Sequence, residues 1–370
     1  MISLDADERM LRDTVRDFFN ADVASSRRAV LEPGFSYDGG QWKRASGELG
    51  LTGLAVAEAL GGQGFGTPAL AVVMEEAGRA LLAGPLFATV ALAANLLTAL
   101  PPGPDRDALL QAVASGQRTA TFAWRHDTND PVVVTAGSSG PLLTGTVRFV
   151  VDGDSADFVL VTAHSGPDLQ LFAVDALRAS TRRRMDSLDL TRPQAVLTFR
   201  ETPARLLASG DAAIDALRHG LDLARVALAN ESVGAARAAL AQAVTYAGTR
   251  RQFGRPIGSF QAIKHRCADL LVELETAWSL ARHAALIVDD PNASRGLRTL
   301  TPAMACAEAT DTFARVAAEN IHIHGGIGFT WEHSAHLYLR RAKANQSLLG
   351  RPSELRERVM QQLRQAGMGQ

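Results

Sequence analysis

The spacing of apolar residues changes twice along the chain, and the changes mark off three stretches. Near the N-terminus Leu11, Val15 and Phe18 recur at intervals of four and three, which predicts a helix with one apolar face. Asp5 followed by Glu8 supplies a capping box ahead of that run. Helical pattern also surrounds Trp42 to Leu49 and fills Pro68 to Leu82 and Pro85 to Leu100. Pro101, Pro102 and Pro104 are then expected to end the helical region, because proline cannot continue a helix interior. Residues 1–115 are thus expected to form an all-α domain.

From Thr119 the texture becomes that of strands. TATFAW, VVVTA, LLTGTVRFVV, ADFVLVTA, LQLFAV and AVLTF are short β-branched or aromatic runs separated by Gly, Asp, Ser and Pro. Strands so closely spaced, with no helices between them, predict an antiparallel sheet or barrel over residues 116–205. After Asp211 the helical period returns. Val226, Val233, Ala236, Leu240 and Val244 mark one helix, and Leu270, Leu274, Ala277, Ala281, Ala284 and Val288 the next. Thr301 and Pro302 are expected to open a third, carrying Ala305, Ala309, Phe313 and Val316, and Trp331 to Gln346 supplies a fourth. Residues 206–370 therefore predict a four-helix bundle, and the expected class is α+β: an α-helical N-terminal domain, a middle antiparallel β domain and a C-terminal bundle.

Composition narrows the function more than the fold. A net charge of -1 without a dominant basic block argues against nucleic acid as the main partner. The densest basic spot, Arg182 to Arg184, reads as a solvated loop, with contact to an anionic ligand as the alternative. No run approaches the roughly 20 apolar residues that a membrane helix needs, and the acidic start MISLDADERM has no signal-peptide core. Cys267 and Cys306 both lie in apolar helical pattern and are expected to be reduced thiols. A cytoplasmic protein is expected.

GGQGFG, Gly61 to Gly66, has the wrong glycine spacing for a dinucleotide loop and no βαβ frame; it reads as a loop needing positive φ. His322, His324, His333 and His336 form H-x-H followed by H-x-x-H. The last two lie one helical turn apart and could share a metal, but Gly325 to Phe329 intervene and the first two need not converge with them, so no metal is expected.

Two segments carry the strongest chemistry. YAGTRRQFGRPIGSFQAIKHRCAD runs from Tyr246 to Asp269, and ENIHIHGGIGFTWEHSAHLYLRRAKA from Glu319 to Ala344. Each joins a helical run to a turn bearing Arg, Phe, Gln or paired Gly, residue types that grip a phosphate-bearing cofactor. With these motifs in this order of domains, the chain resembles the acyl-CoA dehydrogenase family over essentially its whole length, most strongly after Leu221.

The resemblance implies FAD as cofactor and an acyl-CoA thioester as substrate. In the family a glutamate removes the α-proton while the β-hydride passes to the flavin. Members assemble as dimers or dimers of dimers, in which the bundle of one subunit covers the ADP half of its neighbour's FAD. Motif by motif, Arg250, Gln252, Phe253, Ile257 and Gln261 would touch that cofactor, with Arg250 suited to the pyrophosphate. Gly325 and Gly326 match the glycine pair that backbone approach requires, and His322 stands where Gln is frequent.

Departures from the family pattern are as informative. The position of the catalytic glutamate, 24 residues beyond Gly325, holds Leu349, and the alternative position on the first bundle helix holds Ala224. No catalytic residue is therefore assigned. Glu231, two turns beyond Ala224, is a candidate for a relocated base but reads better as solvated or ion-paired, and Glu332 better still as a helix-end carboxylate. In the β stretch, Arg125 of AWRHD takes a threonine position against the flavin, Phe149 replaces a common Trp, and Val151 replaces a hydroxyl residue. Elements lent to a neighbour survive while those serving the chain's own flavin do not. This points to a base-deficient subunit in a homo- or hetero-dimer or tetramer with another acyl-CoA dehydrogenase subunit, resembling actinobacterial members that act as unlike pairs on sterol-derived or other bulky acyl-CoA substrates. The alternative is a non-catalytic flavin- or acyl-CoA-binding protein.

Overall fold

The computed structural model describes residues 3–20, 29, 31–32, 34–138, 140–166, 168–175, 181–365 and 367. Contacts divide the chain into two compact units, each built from separate stretches. One comprises Met1–Ser26, Thr67–Leu82 and Arg225–Gln370, and the other Arg27–Gly66 and Ala83–Ala224.

The first unit is mainly helical. Helix α1 (Ala6–Asn20) opens on the expected capping box, with the Glu8 amide donating to Asp5 Oδ1 at 2.8 Å and the Asp5 amide to Glu8 Oε2 at 3.1 Å. Val15 and Phe19 are its buried residues, so the apolar face turns slightly past Phe18. Charged groups fasten it: Glu8 pairs with buried Arg282, and Arg16 with buried Glu76 at 2.6 Å.

Helix α3 (Gly66–Arg79) packs backbone to backbone on the 40-residue helix α6 (Gly210–Thr249). A Cβ on Gly78 would lie 1.9 Å from the Glu231 carbonyl, and one on Gly234 1.8 Å from that of Glu75, so only glycine permits this approach. Helices α7 (Gln261–Asp289), α8 (Arg295–His324) and α9 (Ala335–Leu348) complete the bundle. All six apolar positions expected on α7 are buried, as are Ala305, Ala309, Phe313 and Val316 on α8. Val244 departs from its stripe, being 51% exposed near the end of α6.

Prolines behave differently from the sequence expectation. Helix α8 begins at Arg295, capped by the Ser294 hydroxyl, which leaves Pro302 inside the helix rather than in its first turn. Beyond Gly350, Pro352 opens a further helix, α10 (Pro352–Gln365), whose entry is fixed by the Arg351 amide donating to Glu354 Oε2 at 2.8 Å. A proline in the first turn has no amide partner to lose.

The second unit holds helix α2 (Gly39–Gly47), a buried π-helical segment (Phe87–Ala94) running into α4 (Asn95–Ala99), and α5 (Pro104–Ala114). Here too Pro104 starts a helix that was expected to have ended. GGQGFG is the positive-φ loop anticipated, with φ of 78°, 70° and 75° at Gly61, Gly64 and Gly66.

Strands β1 (Ala120–Ala123), β2 (Val133–Gly137), β3 (Gly140–Val151), β4 (Phe158–Ser165), β5 (Asp168–Asp175), β6 (Thr181–Arg184), β7 (Gln194–Pro203) and β8 (Arg205–Ser209) form one sheet in the order β6-β7-β3-β2-β4-β5-β8. The pairing is antiparallel except for β1 beside β4 and one residue pair between β2 and β4. Arg182 to Arg184 thus lie on an edge strand rather than a loop. Arg182 donates to the Ala156 carbonyl, and Arg184 to Asp154, the Phe35 carbonyl and Ser36, so two of the three arginines are spent on structure.

Candidate functional site

The chain leaves α6 through Arg250 into a minimal hairpin, β9 (Arg251–Gln252) and β10 (Arg255–Pro256). Its two turn residues, Phe253 and Gly254, have φ of 51° and 78°, the double positive of a type I′ turn. Asn is the usual first residue there, and Phe in this conformation is strained. The Phe253 ring is nonetheless 91% exposed and meets Phe260 only edge-on, at 6.2 Å. Its presence is therefore not explained by packing among the described residues.

The hairpin base is rigid. The Arg250 amide donates to the Tyr246 carbonyl and the Ile257 amide to that of Arg250, both at 2.8 Å. Ile257, Tyr246 and Ile263 pack on a cluster of Ala243, Ala247 and Ile323, which brings α6, α7 and α8 together. Ile257 is therefore spent largely on its own chain, whereas Arg250, Gln252, Phe253 and Gln261 are exposed.

The same cluster, through Ile323, positions the second motif. Gly325 ends α8 with φ of 66°, which only glycine adopts cheaply, and begins a 3₁₀ turn (Gly325–Phe329). A Cβ built on Gly325 or Gly326 would meet nothing within 4 Å. Among the described residues nothing crowds Gly326, and its φ is not in the left-handed region. What glycine preserves there is open access to backbone. His322 is exposed and sits 3.5 Å from Glu319, which also accepts from Arg266 at 2.8 Å.

The other histidines are occupied within the fold. His324 is buried, stacks at 4.3 Å on Tyr246, donates from Nδ1 to the Asn320 carbonyl at 2.8 Å, and touches His333 ring to ring at 4.3 Å. His336 meets Trp331 edge-on at 4.8 Å. Among the described residues no three metal-ligating side chains come together. The repeated His of the sequence could have suggested this stacking, but nothing in it singled out Tyr246.

Both family positions for a base are apolar and buried. Leu349 is 3% exposed, with its carbonyl accepting from Arg225 Nε at 3.1 Å, and Ala224 is 1% exposed. Glu231 is 2% exposed and ion-paired: Oε1 lies 2.6 Å from Nη1 of fully buried Arg341, and Asn345 Nδ2 reaches Oε2 at 3.4 Å. Arg341 in turn donates to the Leu82 carbonyl at 3.2 Å. A carboxylate so held is a strut of the bundle, which accords with the ion-paired reading. Glu332 is exposed before α9. Cys306 is inert, its thiol pushed up to about 12 by burial, and Cys267 is also raised by burial.

In the second unit Arg125 lies over Trp124, 5.9 Å from the ring centroid, and Trp124 stacks on Phe122 at 4.9 Å. Phe149, at φ of 59° beside a bulge in the β3–β7 pairing, is 43% exposed. Val151, by contrast, is fully buried. Asp127 pairs with Arg148, and His126 is fixed by Thr162 and the Val132 amide.

Comparison with known proteins decides the family. Residues 5–117 match the acyl-CoA dehydrogenase N-terminal domain, and residues 214–363 the acyl-CoA dehydrogenase C-terminal domain. Acyl-CoA dehydrogenase IpdE2 of Mycobacterium tuberculosis is 34% identical over 354 residues, 95% of this chain and 96% of that protein. The chain belongs to the acyl-CoA dehydrogenase family. Among solved structures, a variant of the Tcur3481-Tcur3483 steroid ACAD superposes with a TM-score of 0.85 at 30% identity, covering 98% of each chain. The ChsE4-ChsE5 complex of Mycobacterium tuberculosis gives 0.86 at 26% identity, covering 98% of this chain and 99% of that one. Unlike subunits therefore occur among the acyl-CoA dehydrogenases that resemble this chain. Among the described residues no helix is long and apolar enough to cross a membrane.

Proposed function

We propose that this acyl-CoA dehydrogenase is a cytoplasmic, base-deficient subunit that completes the FAD site of a partner subunit acting on an acyl-CoA thioester. The observation that carries the reading is the contrast between the two ends of the chemistry. Arg250, Gln252, Phe253, Gln261, Gly325 and Gly326 stand open on one end of the bundle, while Leu349 and Ala224 fill both base positions with buried hydrocarbon.

The open residues fit a dinucleotide carried by another chain. Arg250 would pair with the pyrophosphate, Gly325 and Gly326 would present backbone to it, and Phe253 would cover the adenosine end. His322 would supply a further polar contact at the rim. Bound FAD would take up the hydride from the β-carbon of the thioester. This chain holds no carboxylate at either family position to take the α-proton, and loss of a general base typically costs about 10² to 10⁴ in rate.

The test is to purify the protein alone and with a co-expressed acyl-CoA dehydrogenase partner, then measure flavin per polypeptide and bleaching of the flavin by acyl-CoA. Little FAD and slow bleaching alone, with both restored by the partner, is expected. Rapid bleaching by the protein alone overturns the reading. Stoichiometric ligand binding without turnover, whichever partner is supplied, would instead support a non-catalytic binding protein.

A further inference from the structure

The segment between α8 and α9 carries Gly325, Gly326 and the exposed apolar residues Ile327, Phe329 and Trp331. It contains one 3₁₀ turn and no strand, so the placement of its glycines depends on how its two ends are held. Those ends are His324 and His333, and their rings meet at 4.3 Å. Tyr246 of α6 extends the stack on the far side of His324, again at 4.3 Å. Three rings from three parts of the bundle thus close the neck of the loop.

Hydrogen bonds fix the state of each ring. His324 Nδ1 faces the Asn320 carbonyl, so it carries the proton. His333 Nδ1 accepts from the Ala335 amide at 3.1 Å, so it carries none, and it serves as acceptor at the start of α9 where the Ser334 side chain does not cap. Ser334 is engaged elsewhere, accepting from Gln242 Nε2 at 3.1 Å, while Gln242 Oε1 accepts from buried Asn320 at 3.3 Å. Beyond the neck, Trp331 is held by His336 edge-on and by Arg340, whose guanidinium lies 5.1 Å from its ring centroid.

We infer that His333 is a positioning residue, whose neutral ring locks the neck of the 325–332 loop and so sets the glycine pair and Trp331 in the shape that receives the cofactor and its carrier subunit. The inference rests on the function proposed above. His333 acts through His324 and the start of α9.

Protonating His333 would remove the acceptor for the Ala335 amide and set a positive charge against His324, with His336 and Arg340 on the α9 side and Tyr246 across the stack. The fold resists this: burial, then His324, lowers the His333 pKa, and burial, then Arg340 and His333, lowers that of His336. A histidine whose folded pKa is lowered is neutral where the unfolded chain is already charged. Its contribution is therefore complete above the ordinary value of about 6.5 and is lost as pH falls below it.

The test uses the heteromer reconstituted with FAD, with FAD affinity read by flavin fluorescence between about pH 5.5 and 7.5, a window spanning the ordinary histidine titration. His333→Ala is expected to weaken FAD about tenfold at the upper end, the order of one lost hydrogen bond. His333→Asn keeps an acceptor for the Ala335 amide but cannot titrate. It should recover most of the affinity and flatten the loss of FAD on acidification. Wild-type affinity in His333→Ala, or an unchanged pH profile in His333→Asn, overturns the inference. Arg250→Ala separates it from the reading beneath: if that variant weakens FAD while His333→Ala does not, only the neck lock fails. If neither affects FAD, the trans-acting site fails with it.

Discussion

Replacing Phe253 with Asn should move stability and cofactor affinity in opposite directions. The left-handed conformation costs a non-glycine residue roughly 1–2 kcal/mol, and Asn followed by Gly is the preferred pair for the type I′ turn that Phe253 and Gly254 form. Against that relief stands, among the described residues, the edge contact with Phe260, worth about 0.5 kcal/mol for a residue that is 91% exposed. The isolated chain should lose nothing and gain up to about 1 kcal/mol, a rise of roughly 1–2 °C in Tm for a chain of this size. In the assembled complex the ring would be covered, and burying a Phe contributes about 1.5–3 kcal/mol. FAD should then bind about 10- to 150-fold more weakly. Thermal unfolding of the chain alone and FAD titration of the heteromer provide the two measurements. A fall of several degrees in Tm would refute this, showing the ring to be part of the chain's own core. If affinity is unchanged, the ring does not contact the cofactor or its carrier.

Other perturbations probe the packing and the empty base position. Leu349→Glu restores a carboxylate where the family carries its base, and acyl-CoA bleaching of bound flavin should appear or quicken, by at most about 10² to 10⁴. No gain, with folding and FAD binding intact, would place the defect beyond the base, at groups such as Arg125 and Phe149. Gly234→Ala would put a methyl 1.8 Å from the Glu75 carbonyl and should destabilise the chain by roughly 1–3 kcal/mol, seen as a lower urea midpoint. An unchanged midpoint would mean that α3 moves aside without cost.

Much of the fold was legible because apolar spacing is set by burial. The stripes on α7 and α8 were read residue for residue, and the capping box at Asp5 and Glu8 formed as written. Proline was the main source of error. At Pro104 it opens a helix, and at Pro302 it is tolerated inside one, because its cost depends on position within the turn, which sequence spacing near a boundary does not fix. Arg182 to Arg184 resembled a loop because edge strands also carry charge. In the site, Arg250, Phe253 and the glycine pair were visible as residue types. Their openness was not, nor was the ring stack of Tyr246, His324 and His333, which depends on two helices and the loop before α9 meeting. The face of Val150 could not be read from alternation alone, because the bulge beside Phe149 brings Val150, three residues on from Val147, into the same buried cluster.

The claim that this bundle end serves a cofactor held by another subunit is tested most directly with Arg250→Ala in this chain alone, paired with an unaltered partner. Arg250 is exposed and its backbone amide is satisfied by Tyr246, so the fold should be untouched. Losing one charge-assisted contact to a phosphate costs about 1.5–3 kcal/mol, and the FAD dissociation constant of the complex should rise about 10- to 150-fold while the subunits stay associated. An unchanged FAD affinity in the complex would contradict the account.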